Sequence, residues 1–166
     1  FPLGHHRMDR RRRVLRSVLA GWETSSLLTF QGGFPFTVGV SGPQLNNGAG
    51  ANRANLVGEW NLGSQANRDR WFDTSAFAPT VGRTYGNCAN NTLRGPGSKS
   101  MNMSLFRNIG LGGDKRLELR AEVFNLFNWV NYGFPAANVG NAGTFGRITS
   151  TLGDPREMQL AVKFYF

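Results

Sequence analysis

The sequence holds one cysteine, Cys88, among 166 residues. No disulfide can form within the chain, and neither a CxxC zinc site nor a redox thiol pair exists; Cys88 reads as an incidental loop thiol. Histidine is as scarce. His5 and His6 are adjacent, neighbours on a strand point to opposite faces, and no third ligand lies at useful spacing, so a polar turn accounts for them better than a metal site. No apolar run approaches the roughly 18 residues that a membrane helix needs, and no charged-then-apolar start resembles a signal peptide. The chain opens at Phe1 in what reads as structured sequence, so a fragment is expected whose targeting signal and earlier domains lie upstream. Nucleophile-elbow and phosphate-loop patterns are missing too. No catalytic residue, cofactor or metal site is expected, and the protein is expected not to be an enzyme.

What the chain has in quantity is glycine, 22 residues, and phenylalanine, 13, with only 17% charged residues. Glycine weakens helices and aromatics favour pleated surfaces, so many short strands joined by turns are expected, an all-β fold. The net charge of +9 is unevenly spread. Between Arg7 and Arg16 six Arg face one Asp, Asp9, which is +5 and leaves +4 for the rest. The remainder lacks a basic and aromatic face that reads single strands. A solvated or membrane-flanking turn explains the run, and no nucleic acid is expected as a partner.

Alternation of period two identifies the strands. From Glu157 to Phe166, Met158, Leu160, Val162, Phe164 and Phe166 share one face, opposite Glu157, Gln159, Ala161, Lys163 and Tyr165. Its length suits the roughly 9 to 11 residues of a tilted membrane strand, although a half-buried strand of a soluble sandwich alternates in the same way. Lys115 to Val123 repeats the pattern, with Leu117, Leu119, Ala121 and Val123 against Arg116, Glu118, Arg120 and Glu122. Mutual pairing accounts for these four charges better than acid–base catalysis. The phase changes over Phe124 to Trp129, which reads as a bulge or as entry into an aromatic girdle. A third strand is expected over Ser100 to Leu111, where Arg107 interrupts the apolar face; it either snorkels or is turned inward by a bulge. A fourth, Trp22 to Phe30, alternates most weakly and stops at Gln31-Gly32-Gly33, with Pro35 demoting the next residues to an edge or loop.

The connections separate sandwich from barrel. Gly112-Gly113-Asp114 suits a tight hairpin, whereas Val40 to Lys99 and Asn131 to Asp154 are long and rich in Asn and Gly. A structureless loop of that size counts against a compact soluble domain. Outer-membrane barrels combine short periplasmic turns with long external loops. The expectation is therefore an antiparallel transmembrane β-barrel, of which the chain supplies about four strands with long external loops.

Several blocks then carry a family resemblance: Gly21-Trp22-Glu23, Gln31-Gly32-Gly33-Phe34-Pro35-Phe36-Thr37, Trp71-Phe72-Asp73-Thr74-Ser75-Ala76-Phe77, Leu93-Arg94-Gly95-Pro96-Gly97, Arg120 to Asn128, and Pro155 to Phe166. In this order they resemble the end of TonB-dependent receptors of the Oar-like type, over about the whole of 1–166. The resemblance implies a large barrel of the 22-stranded, plugged kind in the bacterial outer membrane, taking up a bulky, unidentified solute with energy supplied through TonB. Plug, TonB box and any carboxypeptidase-regulatory-like domain are expected upstream, with the rest of the barrel and the plug as partners. Outer-membrane lipid is the expected partner of Leu117, Leu119, Val123, Met158, Leu160 and Val162. A lumen is expected beside Arg116, Glu118, Arg120, Glu122, Gln159 and Lys163. Phe164 and Phe166 are expected to form a membrane-insertion signal read by the barrel-assembly machinery through strand addition. Trp71, Phe72 and Phe77 are candidate loop contacts to the solute, against the competing reading that they pack within a folded loop. The alternative function is a non-transporting outer-membrane or secreted β-rich binding or adhesin module.

Overall fold

A computed structural model describes residues 20–41 and 52–166, so the Arg7 to Arg16 run, His5 and His6 lie outside the described residues. The described residues fall into two compact units: one holds 20–29, 100–129 and 154–166, the other 30–41, 52–99 and 130–153. All regular structure among the described residues is β apart from two short 3-10 turns, Gly63–Gln65 and Thr74–Ala76. No helix among them is long and apolar enough to cross a membrane. A barrel crosses with strands instead, because closed strand pairing satisfies the backbone where water cannot.

Four long strands form one sheet: β1 (Trp22–Gln31), β2 (Ser98–Gly112), β3 (Lys115–Phe124) and β4 (Glu157–Tyr165). Their order in the sheet is their order in the chain, an up-and-down meander. The strands begin and end within two residues of where alternation places them. β2 and β3 are antiparallel and joined by a tight turn in which Gly112 and Gly113 adopt φ of 97° and 61°. Those values lie in the left-handed region, where a residue with a Cβ is strained. β3 and β4 pair without interruption from Glu157 opposite Phe124 to Tyr165 opposite Arg116.

Register resolves two readings left open by sequence. β2 pairs with β3 continuously from Met103 to Gly110, and its only shift falls between Gly110 and Gly112. No bulge turns Arg107 inward; it stays opposite Leu119 on the apolar side, with its guanidinium 5.8 Å from the centre of the Trp22 ring. The phase change after β3 is a turn rather than a bulge. Strand β3 ends at Phe124, and Asn125 and Asn128 follow with φ of 50° and 53°, a conformation that Asn tolerates better than most residues. Asn125 is buried. Its backbone N–H donates to Asn102 Oδ1 (3.0 Å) and its side-chain amide to the carbonyls of Trp129 (3.0 Å) and Asp154 (3.2 Å). Its Oδ1 accepts from Trp129 N–H at 2.9 Å. One side chain thus ties the end of β3 to the approach to β4.

The second unit corrects the expectation of a structureless stretch between Val40 and Lys99. The chain there folds into short two-stranded pairs: Pro35–Phe36 with Leu93–Arg94, Gly39–Val40 with Asn52–Arg53, Asn55–Leu56 with Phe77–Ala78, and Asn131–Tyr132 with Thr151–Leu152. Val38, Val40, Ala54, Phe72, Ala76, Phe77, Cys88 and Leu93 form a buried core, and Val139 and Phe145 from the later loop pack against it. Cys88, expected as an incidental loop thiol, has no exposed surface; its small apolar side chain serves as packing. The physical reason for the correction is that apolar residues spaced irregularly along turns still converge when glycine permits close approach. A Cβ on Gly33 would overlap the Gly95 carbonyl, and one on Gly86 would overlap the carbonyls of Arg53 and Ala54.

Candidate functional site

Residues directly opposite in an antiparallel pair share a face, so the register builds two surfaces from the three paired strands. One carries Met103, Leu105 and Ile109, then Leu117, Leu119 and Val123, then Met158, Leu160, Val162 and Phe164. On β4 this face is open: Met158, Leu160 and Val162 are 76%, 83% and 68% exposed. Phe166, just beyond β4, is exposed and stacks on Phe164 with ring centres 6.0 Å apart. Burying such side chains is worth about 1.5–3 kcal/mol each, so a row of them facing water is unfavourable.

The other surface is a connected polar layer. Arg120 stands between Glu118 and Glu122, with N–O separations of 2.9 and 3.6 Å. The contact to Glu118 is an ion pair without hydrogen-bond alignment, and Arg120 Nε has no hydrogen-bond partner among the described residues. Tyr165 donates its hydroxyl proton to Glu118 Oε2 at 3.2 Å, and Ser104 Oγ donates to Glu122 at 3.5 Å. Arg116 lies 4.1 Å from the centre of the Tyr165 ring, a cation–π contact. Gln159 and Lys163 stand opposite Glu122 and Glu118 on this side. The register thus sets Arg116, Glu118, Arg120, Glu122, Gln159 and Lys163 on one face of the sheet, where Arg120 pairs with both carboxylates and Arg116 lies against the Tyr165 ring.

In the second unit, the sequence blocks that lie tens of residues apart come together. Gly95 N–H donates to the Phe34 carbonyl at 2.9 Å, Arg94 Nη1 to the Gly33 carbonyl at 3.2 Å, and Trp71 Nε1 to the Arg94 carbonyl at 2.8 Å. Phe72 and Phe77 are buried, 1% and 6% exposed. Phe72 sits 5.5 Å from Phe77 and 5.2 Å from Phe145 in edge-on contact, and 6.1 Å from Phe36. Of the three aromatics considered as solute contacts, only Trp71 retains intermediate exposure. Asp73 opens the turn that carries this block: its Oδ1 accepts from Ser75 N–H (3.0 Å) and Oγ–H (2.8 Å), and Arg70 Nη2 lies 3.0 Å away. These hydrogen bonds from Ser75, and then Arg70, hold its carboxyl below the usual carboxylate range.

Sequence reading missed two organising amides. Asn125 is one. The other is buried Asn52, whose Nδ2 donates to Thr80 Oγ1 (3.2 Å) and the Thr84 carbonyl (2.7 Å) while Oδ1 accepts from Arg53 and Gly86 N–H groups. In a stretch this rich in Asn, composition does not mark one amide as the buried one.

Charge is also segregated. The second unit has seven basic residues (Arg53, Arg68, Arg70, Arg83, Arg94, Lys99, Arg147) and three acidic ones (Glu59, Asp69, Asp73), hence +4. The described part of the strand unit holds six of each sign and is neutral. Among the described residues no group of three His, Cys, Asp or Glu side chains is placed to hold a metal ion.

A sequential antiparallel meander with one apolar and one ion-paired face, joined by a tight turn on one side and long folded connections on the other, defines a wall segment of a membrane β-barrel. A family model described as the outer membrane beta barrel domain matches residues 1–159. The chain belongs to that family, and its location is the bacterial outer membrane. No curated protein and no solved structure matches it.

Proposed function

We propose that the chain is the C-terminal part of the barrel of a TonB-dependent receptor of the Oar-like type, contributing its closing strands to uptake of a bulky solute energised from the inner membrane. The observation that carries this reading is the mutual docking of the blocks Gln31 to Thr37, Trp71 to Phe77 and Leu93 to Gly97, the blocks on which the resemblance rests. In this reading Leu117, Leu119, Val123, Met158, Leu160 and Val162 face lipid, and Arg116, Glu118, Arg120, Glu122, Gln159 and Lys163 face the lumen. The long connections stand outside the cell, and plug and TonB are partners contributed by or engaged through other segments. The protein has no catalytic role.

The test is genetic and direct. Deleting the receptor gene and deleting the gene for TonB should abolish uptake of the same solute in the host, with no further loss in the double deletion. A receptor phenotype that persists unchanged without TonB would sink the transport reading. It would favour a non-transporting display module, which the self-contained core of the loops also suits.

Phe164 and Phe166 serve in this reading as part of the signal by which the assembly machinery captures β4. Phe166→Ser in the full-length protein should lower insertion yield while leaving the heat stability of inserted protein unchanged. Normal yield with reduced stability would leave Phe166 only an anchoring role.

A further inference from the structure

Within the folded-loop unit, Phe34, Pro96, Tyr132, Phe134 and Leu152 wall a notch of about 40 Å³. That is far below the roughly 300–1,000 Å³ of a site that encloses its ligand, so only an edge or one substituent of a ligand enters and the rest lies against the walls. Those walls are open: Phe34 and Phe134 are 53% and 52% exposed, and Tyr132 and Leu152 are exposed as well. The Phe134 ring is also held. It meets Phe36 edge-on with centres 5.9 Å apart, and a Cβ on Gly95 would stand 3.1 Å from it. In the same lining, Gln31 Oε1 accepts from Ser98 Oγ at 3.4 Å, which leaves both amide protons of Gln31 to donate. Arg94 stands beside this segment. Its Nη1 donates at 3.2 Å to the carbonyl of Gly33, which lies between the lining residues Gly32 and Phe34.

Charge and backbone pairing narrow the occupant. The unit carries +4, and its Asp69 and Asp73 are taken by Arg147 and Arg70, so the surplus lies on the other basic residues, Arg94 among them. Aromatic rings can hold a cation, but that surplus repels one. A peptide added as a strand needs an unpaired backbone edge. Here the Phe34 carbonyl accepts from Gly95 N–H, the Gly33 carbonyl from Arg94, and Gly133 N–H donates to the Ser150 carbonyl. A hydrocarbon chain would suit the rings but would take the Gln31 amide out of water without a partner. Rings, an amide and an arginine together match a ligand with flat C–H faces, hydroxyls and negative charge.

We propose that this notch binds an acidic glycan, with the face of a uronic acid ring lying on Phe34 and Phe134 and a carboxylate at the Arg94 guanidinium. This rests on the reading that the long connections stand outside the cell, but not on transport. The C–H face of a pyranose meets the negative face of an aromatic ring, a hydroxyl accepts from the Gln31 amide, and the carboxylate makes a charge-assisted contact with Arg94.

The test uses the full-length barrel in lipid nanodiscs, with trigalacturonate and its methyl ester, the same rings without charge, titrated by calorimetry. The acid should bind in preference to the ester. Arg94→Gln should weaken the acid on the order of tenfold, the scale of losing one charged hydrogen bond, and bring it to the affinity of the ester. Phe34→Ser should weaken both ligands, with amide exchange across 52–93 unchanged to show that the unit still folds. Failure of the acid to bind, or acid binding unaffected by either substitution, overturns the proposal. A membrane-impermeant maleimide applied to intact cells carrying Tyr132→Cys separates the two readings. If the cysteine is labelled and the acid does not bind, the notch alone has failed; if the acid binds the purified barrel and the cysteine is never labelled, the outside placement has failed and the notch stands.

Discussion

The strand unit and the folded-loop unit solve opposite problems. The strands alternate with period two and pair in continuous register, yet they bury no apolar core of their own; their apolar row on β4 is exposed. The loops have almost no regular structure longer than two residues, yet they hold nearly all of the described core, including Phe72, Leu93, Val38 and Cys88 at under 2% exposure. Regularity therefore does not measure self-sufficiency. The sheet leaves its apolar row on β4 uncovered, whereas the loops achieve their burial by side chains converging from many short turns. Among the described residues the charge follows the same division, neutral in the strand unit and +4 in the loops.

The largest test of this comparison is Phe72→Ala. Truncating a buried Phe costs about 3–5 kcal/mol, and in the full-length barrel amide exchange should accelerate across 52–93 while β3 and β4 keep their protection. Equal loss of protection in β3 and β4 would mean that the two units fold as one. Leu160→Arg probes the opposite region. Near the bilayer midplane it should cost about 2–4 kcal/mol, whereas Gln159→Arg, on the polar side, should cost under about 1 kcal/mol. Denaturant titration of the inserted barrel reads both, and a larger cost at Gln159 would reverse the assignment of faces.

Asn125→Ala sharpens the comparison at a turn of the strand unit. Removing the amide takes away the acceptor of the Trp129 N–H and puts Ala, which tolerates the left-handed region less well than Asn, at φ near 50°, so a loss of about 1–3 kcal/mol is expected. Faster exchange should be confined to 125–129 and the first residues of β4, and unchanged exchange there would show that the amide contacts add nothing. The smallest effect concerns pH and the loops. Because the folded-state pKa of Asp73 is depressed, its contribution is present above the unfolded carboxylate value, near 4, and is lost as pH falls through the folded one. Exchange around Thr74–Ala76 should therefore quicken as pH falls below about 4, after correction for the intrinsic pH dependence of exchange, and Asp73→Asn should remove that step. A step that survives the substitution would assign it to another group.

Most of the sheet was legible in sequence because strand alternation is local. Each residue from Glu157 to Tyr165 declares its face by parity, which needs no long-range condition. The same logic found the hairpin at Gly112, where only glycine takes the required φ without strain. It did not find the core of the loops, the burial of Cys88, or the choice of Asn52 and Asn125 among many asparagines.

What sequence determined by itself is thus the all-β class, the four strands, their faces and the tight turn. Tertiary structure alone decided that Arg107 stays on the apolar side, that Phe124 to Trp129 is a turn, and that the long connections fold. Parity along a strand is carried by successive residues. Convergence of Phe36, Phe72, Phe77 and Phe145 depends instead on contacts between residues as far apart in the chain as Phe72 and Phe145, whose spacing carries no period.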